Sequence, residues 1–268
     1  MKKTLLALIF SSILTACGGG GSEPSTSSPL NSAPVQLTNS AWEQARVYLP
    51  YTQQPVSVKE LTNIGPNPIA ISLHGCDGIQ DQNLQLGDKY YPIFLAQQGY
   101  LVIEPNSYPG QKQNDPGTSL CYFDEVKGIT VYPATSFDLD RRKTDAEYAI
   151  QKISQSNFWD RKNLLVQGQS QGFFISYDLN PTQTKPVTRW LLSGGTIRCP
   201  TIPNNYQFLN NQPTLIVNSD ADISSQTCME LLVTQYLNVK ISLLKGNFHT
   251  PIFAKEGQDI IKEFIRLN

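Results

Sequence analysis

The pentapeptide Gly168-Gln169-Ser170-Gln171-Gly172 constrains this chain more than any other feature, because of what flanks it. Residues 163–167 (NLLVQ) before it read as a strand, and residues 171–179 after it read as a helix ended by Asn180-Pro181. A G-x-S-x-G between strand and helix requires a sharp turn. The serine backbone is strained, the glycines relieve crowding, and the hydroxyl projects from the turn. The backbone N–H of Gln171 is then aimed where negative charge would develop on an attacked carbonyl. A serine hydroxyl is a poor nucleophile at neutral pH and needs a base within hydrogen-bond reach. The chain has two histidines, His74 and His249, so the candidates are few.

Short apolar runs alternate with helix-period segments throughout residues 35–268, and no internal repeat is visible. This is the pattern of a parallel sheet with helices on both faces. Strands are predicted over 67–73, 100–105, 163–167, 189–193, 214–218 and 240–244. Helices are predicted over 91–98, 138–154, 171–179, 229–237 and 256–266. Within 138–154, Leu139, Ala146, Ala149, Ile150 and Ile153 fall near helical spacing, which puts the charges on the opposite face. Residues 106–137 contain Pro109-Gly110 and Pro116-Gly117 and little periodicity, so they read as one long loop of the kind that serves function. Residues 195–213 are too few for a separate cap domain.

The start of the chain reads as a targeting segment. Lys2 and Lys3 precede an apolar run over 5–14, too short to span a membrane stably but suited to a signal peptide. It ends in Leu14-Thr15-Ala16-Cys17, which resembles the lipobox of bacterial lipoproteins. Residues 1–16 are then a cleaved signal and Cys17 the lipidated residue. Residues 17–34, rich in Gly, Ser, Thr and Pro, form a flexible tether to a single domain over 35–268. Gly18 after the cysteine implies retention in the outer membrane of a bacterial envelope. Removing Lys2 and Lys3 from 21 basic residues, against 22 acidic ones, leaves a small negative charge and no basic patch. A nucleic-acid partner is excluded on that ground. Cys76, Cys121, Cys199 and Cys228 remain, an even number that suggests disulfides in an exported protein. Without a CxxC pair, and with two histidines, a zinc site is not expected.

A second motif, Leu73-His74-Gly75-Cys76-Asp77-Gly78, follows the predicted strand 67–73. With the serine pentapeptide in its strand–turn–helix setting, nearly everything after the tether resembles the α/β-hydrolase superfamily. The LHGC sequence, the short cap region and the lead-in Phe158-Trp159-Asp160-Arg161-Lys162-Asn163 resemble dienelactone hydrolase-like and polyhydroxybutyrate depolymerase-like esterases. Phe173 departs from that pattern, since a small residue is common after the second glycine, and the nucleophile cysteine of true dienelactone hydrolases is absent.

The resemblance implies an α/β-hydrolase fold: a mostly parallel central sheet flanked by helices, without a separate cap domain. It also implies the chain order nucleophile, acid, histidine, which selects His249 as base and leaves His74 a structural role. The acid should follow strand 214–218, where Asp222 is favoured and Asp220 is the alternative. The oxyanion would be held by the N–H groups of Cys76 and Gln171. The implied activity is a serine esterase working through an acyl-enzyme on a small-molecule or polymeric ester, with no cofactor. A peptidase or amidase on the same scaffold, or a surface binding module without turnover, are the alternatives. The implied sheet order would bring Cys76 to Cys121 and Cys199 to Cys228. Acyl and alcohol specificity and oligomeric state are not written in these motifs.

Overall fold

Alternation with a period of two governs the central strands and decides the architecture. In the computed structural model the described residues are 40–75, 78–79, 81–107, 122–124, 129–131, 136–180, 182–194, 212–220, 238–246 and 250–267. They belong to the compact unit Ala33–Asn268. Their strands are β1 (Arg46–Tyr48), β2 (Val56–Ser57), β3 (Asn67–Leu73), β4 (Leu101–Glu104), β5 (Tyr122–Asp124), β6 (Ile129–Val131), β7 (Trp159–Gln169), β8 (Arg189–Ser193), β9 (Thr214–Ser219) and β10 (Val239–Leu244). The α-helices are α1 (Tyr91–Gln97), α2 (Ser136–Gln155), α3 (Gln171–Tyr177) and α4 (Lys255–Ile265).

Eight strands form one sheet in the order β10-β9-β8-β7-β3-β4-β1-β2. Pairing is parallel from β10 to β4, and β1 runs antiparallel to both β4 and β2. Ile69, Ile71, Leu101, Ile103, Leu164, Val166, Trp190 and Leu192 point into one apolar cluster. Their neighbours Ala70, Val102, Leu165, Leu191 and Val217 point into another. A sheet apolar on both faces must be covered on both. Ala146, Ala149, Ile150 and Ile153 of α2, with Phe173 of α3, cover the first face. Phe94 and Leu95 of α1, with Ile261 and Ile265 of α4, cover the second.

The expected mostly parallel sheet with helices on both faces is therefore present, and strands 67–73 and 189–193 coincide with their predicted bounds. Helix α1 stops at Gly99, as predicted, where φ is 90° and a Cβ would lie 2.9 Å from the Tyr51 hydroxyl. Three expectations need correction. Strand β7 begins at Trp159 rather than 163, because Trp159 already pairs with Asn67 before the register shifts. Residues 106–137 are not all loop: β5 and β6 pair as an antiparallel two-stranded sheet, and α2 starts at Ser136. The charges of α2 do not all face water, since Arg142 and Asp145 are each 2% exposed.

The adjacency of β3 with β4, and of β8 with β9, is the one the implied disulfides assume. Cys76, Cys121, Cys199 and Cys228 themselves lie outside the described residues, as do the predicted helix 229–237 and the whole of residues 1–39. Among the described residues no helix is long and apolar enough to cross a membrane.

Candidate active site

Strand β7 lies between β3 and β8, so its carboxyl end is flanked on both sides by the ends of parallel strands. Ser170 follows directly, with φ 56° and ψ −115°, a left-handed conformation that non-glycine residues rarely adopt. Its N–H donates to the Ser193 carbonyl at 2.9 Å, and its carbonyl accepts the Phe173 N–H at 3.1 Å. These two bonds hold the strained residue between β8 and the first turn of α3. The glycines serve close approach. A Cβ on Gly168 would overlap the Ser176 hydroxyl and the Gly172 carbonyl, and one on Gly172 would overlap the Leu73 carbonyl. Helix α3 can therefore cross the end of β3 at backbone contact. Ser170 is 6% exposed, seated within the edge rather than projecting from it.

The loop after β3 is brought to the same place. A Cβ on Gly75 would stand 3.2 Å from Gln169 Oε1 and 3.5 Å from Ser170 Cβ, so the main chain at Gly75 lies against the serine. His74 is buried beside it, with Nδ1 2.6 Å from the Gly75 carbonyl. A carbonyl only accepts, so a hydrogen bond at this contact requires the proton on Nδ1. Burial, aided by the nearby Arg142 charge, holds the His74 pKa well below its ordinary range despite this bond. His74 Nδ1 thus bonds within its own loop, one residue along the chain.

A guanidinium that the sequence reading passed over sits at the centre of this arrangement. Arg142 Nη2 donates to the His74 carbonyl and lies 3.2 Å from His74 Nδ1. Its Nη1 donates to Gln171 Oε1, with a longer contact of 3.4 Å to the Gly75 carbonyl. Asp145, one turn along α2, is also buried. Desolvation raises its carboxyl to about 7, opposed by a hydrogen bond from Ser107 and by the charges of Arg141 and Arg142. A signal for both residues was present in the sequence. Positions 142, 145, 146, 149, 150 and 153 share one buried helical face.

Asp222, His249 and Cys76 lie outside the described residues; Ser170 and Gln171 are described. Residues on either side of 247–249 are nevertheless tied down. Asp220 Oδ1 accepts the Gly246 N–H at 2.8 Å, and the Ser219 hydroxyl donates to the Gly246 carbonyl. On the far side, Gln169 Nε2 donates to the Thr250 hydroxyl at 3.2 Å. The neighbour of His249 is thereby joined to the neighbour of Ser170. Asp220 thereby ties the end of β9 to the loop after β10. Among the described residues no group of three or more His, Cys, Asp or Glu side chains is placed to hold a metal ion.

No protein-family model matches the chain, and no curated protein matches it either. Among solved structures it is similar to Est1E from Butyrivibrio proteoclasticus with ferulic acid bound (TM-score 0.52, 14% identity, 83% of this chain and 92% of that one). It is similar to dienelactone hydrolase from Anabaena variabilis ATCC 29413 (TM-score 0.51, 13% identity, 82% and 89%). It is also similar to a thermostable esterase (TM-score 0.55, 13% identity), where it covers 58% of the longer chain while matching over 82% of its own.

Proposed function

We propose that this chain, whose fold is that of the α/β-hydrolases, is a serine hydrolase cleaving carboxylic esters. Ser170 attacks the carbonyl carbon. His249 takes the hydroxyl proton and returns it to the departing alcohol. Asp222 orients the ring and stabilises the imidazolium. The N–H groups of Gln171 and Cys76 hold the tetrahedral oxyanion, and water then cleaves the acyl-enzyme with His249 as base again. No cofactor takes part.

The observation that carries this reading is the Ser170 turn. A non-glycine residue held at φ 56° at the end of a central parallel strand is strained, and such strain persists where the surroundings enforce it. The Gln169–Thr250 bond supports His249 as its partner, and the approach of Gly75 to Ser170 supports the loop after β3 as oxyanion donor. Cys17 and the tether behind it support a lipid-anchored form on the bacterial envelope, in the outer membrane.

The test is labelling by a fluorophosphonate, together with turnover of aryl esters of rising acyl length, a peptide and a polyester. Ser170→Ala is expected to fold, to lose labelling, and to lose ester turnover by roughly three orders of magnitude or more. Near-wild-type turnover in that variant ends the proposal.

A further inference from the structure

We propose that Arg142 is a positioning residue for the oxyanion hole, one buried guanidinium fixing both of the peptide segments that supply its donors. The inference rests on the esterase reading above and deepens it. A trans peptide is planar, so the direction of its C=O determines the direction of its N–H. The carbonyl of Gly75 and the N–H of Cys76 belong to one peptide unit. That carbonyl accepts from His74 Nδ1 at 2.6 Å and faces Arg142 Nη1 at 3.4 Å, while the preceding carbonyl, of His74, accepts from Arg142 Nη2. Two successive carbonyls, of His74 and Gly75, are thus turned toward the guanidinium, and by planarity whatever orients the Gly75 carbonyl would also orient the donor proposed on the same peptide unit. On the other side of the same guanidinium, Nη1 holds the side chain of Gln171, whose backbone N–H is the second donor.

The residue type suits the task. Arginine presents several donors in a rigid plane and stays charged when buried, so one side chain can span two strand ends without losing its geometry. Lysine offers a point charge with no fork. Arg142 reaches the site from α2, whose Ala146, Ala149, Ile150 and Ile153 are locked in the core, so the guanidinium is delivered from a rigid element. Donation to carbonyls also polarises the peptide units that carry them, which strengthens the N–H groups as donors in a low-dielectric setting. His74, kept neutral, adds a second donor to the Gly75 carbonyl without placing another full charge in the loop.

Removing an oxyanion donor outright costs on the order of 10²–10³ in turnover. Loosening both donors is expected to cost roughly 30-fold or more in kcat, with KM within about threefold, because the loss falls on the transition state. Wild type, Arg142→Lys, Arg142→Gln and Gln171→Met would be compared on one aryl ester. Kinetics would be normalised to active sites titrated by fluorophosphonate, and affinity measured for a trifluoromethyl ketone, whose serine adduct carries the oxyanion.

The proposal expects kcat per titrated site to fall and ketone affinity to weaken in parallel with kcat/KM, in Arg142→Lys as in Arg142→Gln. Gln171→Met, which removes one arm and keeps the backbone donor, is expected to show the same pattern to a smaller degree, and it serves if the Arg142 variants fail to fold. If fewer sites titrate but each keeps wild-type kcat and ketone affinity, Arg142 is merely structural and the proposal is overturned. An unlabelled, inactive wild type overturns the esterase reading and this inference together; an active wild type with unaffected variants overturns this inference alone.

Discussion

Glu104 offers a test of the fold's energetics away from Ser170. It ends β4, is 0% exposed, and stands opposite Arg46 in the antiparallel pairing with β1. Tyr90 donates its hydroxyl to Oε1 at 2.5 Å, and Oε2 is buried without a hydrogen-bond partner among the described residues. Burial raises the carboxyl from its ordinary 4.5 to about 7, with the Tyr90 bond and the Arg46 charge opposing the rise without cancelling it.

The sign follows from proton binding. Below about pH 4.5 the group is protonated in both states, and its contribution to stability is fully present. Between 4.5 and 7 the unfolded chain releases the proton while the folded one keeps it, so stability falls as pH rises, and the loss is complete above about 7. At 1.36 kcal/mol per pKa unit, the loss is on the order of 3 kcal/mol. Tyr48 and Tyr90, the other titratable neighbours, are raised further above their usual range and do not ionise in this window. Asp145 shifts in the same direction but is present in both proteins and cancels from their difference.

Glu104→Gln keeps an acceptor for Tyr90 and cannot ionise. Urea unfolding from pH 4 to 8 should therefore give similar stabilities near pH 4. Near pH 8 the variant should gain on the order of 3 kcal/mol over wild type. Parallel pH profiles for the two proteins would refute the reasoning.

Other outcomes are expected at the site and at the start of the chain. Gly172→Ala should destabilise by about 1–3 kcal/mol in denaturant unfolding and lower turnover, because its Cβ would overlap the Leu73 carbonyl and lie 2.9 Å from that of His74. A neutral effect would contradict the close crossing of α3 over β3. Asp222→Asn should cost on the order of 10⁴ in kcat, whereas Asp220→Asn retains an acceptor for the Gly246 N–H and should cost little; the reverse ranking would exchange their roles. Cys17→Ser should release the protein from membranes with its specific activity unchanged, and wild-type protein carrying an unmodified Cys17 would refute the anchor.

Much of the central sheet was legible because a strand buried on both faces needs a continuous apolar run, and NPIAISL or RWLLS can hardly be anything else. The edges were not. Strands β1 and β2 have three and two residues, and they are strands only through their pairing with β4 and with each other. The hairpin of β5 and β6 is likewise too short to show a period of its own. Buried polar pairs were equally silent. Ser72 donates to Gln167 at 2.7 Å between two paired strands, and neither residue announces a partner 95 positions away. Arg142 was misread for a related reason. Charge on a helix is a good sign of exposure until carbonyls from elsewhere in the fold are placed to receive it, and here those carbonyls belong to His74 and Gly75 in the loop after β3, not to α2.

The serine pentapeptide itself holds more information than its pattern states. G-x-S-x-G fixes the glycines by steric need and the serine by chemistry, and leaves two positions open. Here both are glutamines, and their side chains point to different tasks. Gln169 reaches Thr250, beside the proposed base, and its Oε1 stands over Gly75. Gln171 reaches Arg142, and through it the loop after β3. An amide suits each position because it is uncharged and can donate or accept, so it joins two loops without adding charge next to the hydroxyl that must be activated. The strained turn thus carries the proposed nucleophile and also gathers loops around it: one open position reaches Thr250, next to the proposed base, and the other reaches Arg142, which binds the loop after β3. Hydrophobic replacement of either glutamine would leave the motif intact as a pattern while releasing one of those loops, which is why the pattern alone is a weaker guide to a working site than the bonds its open positions make.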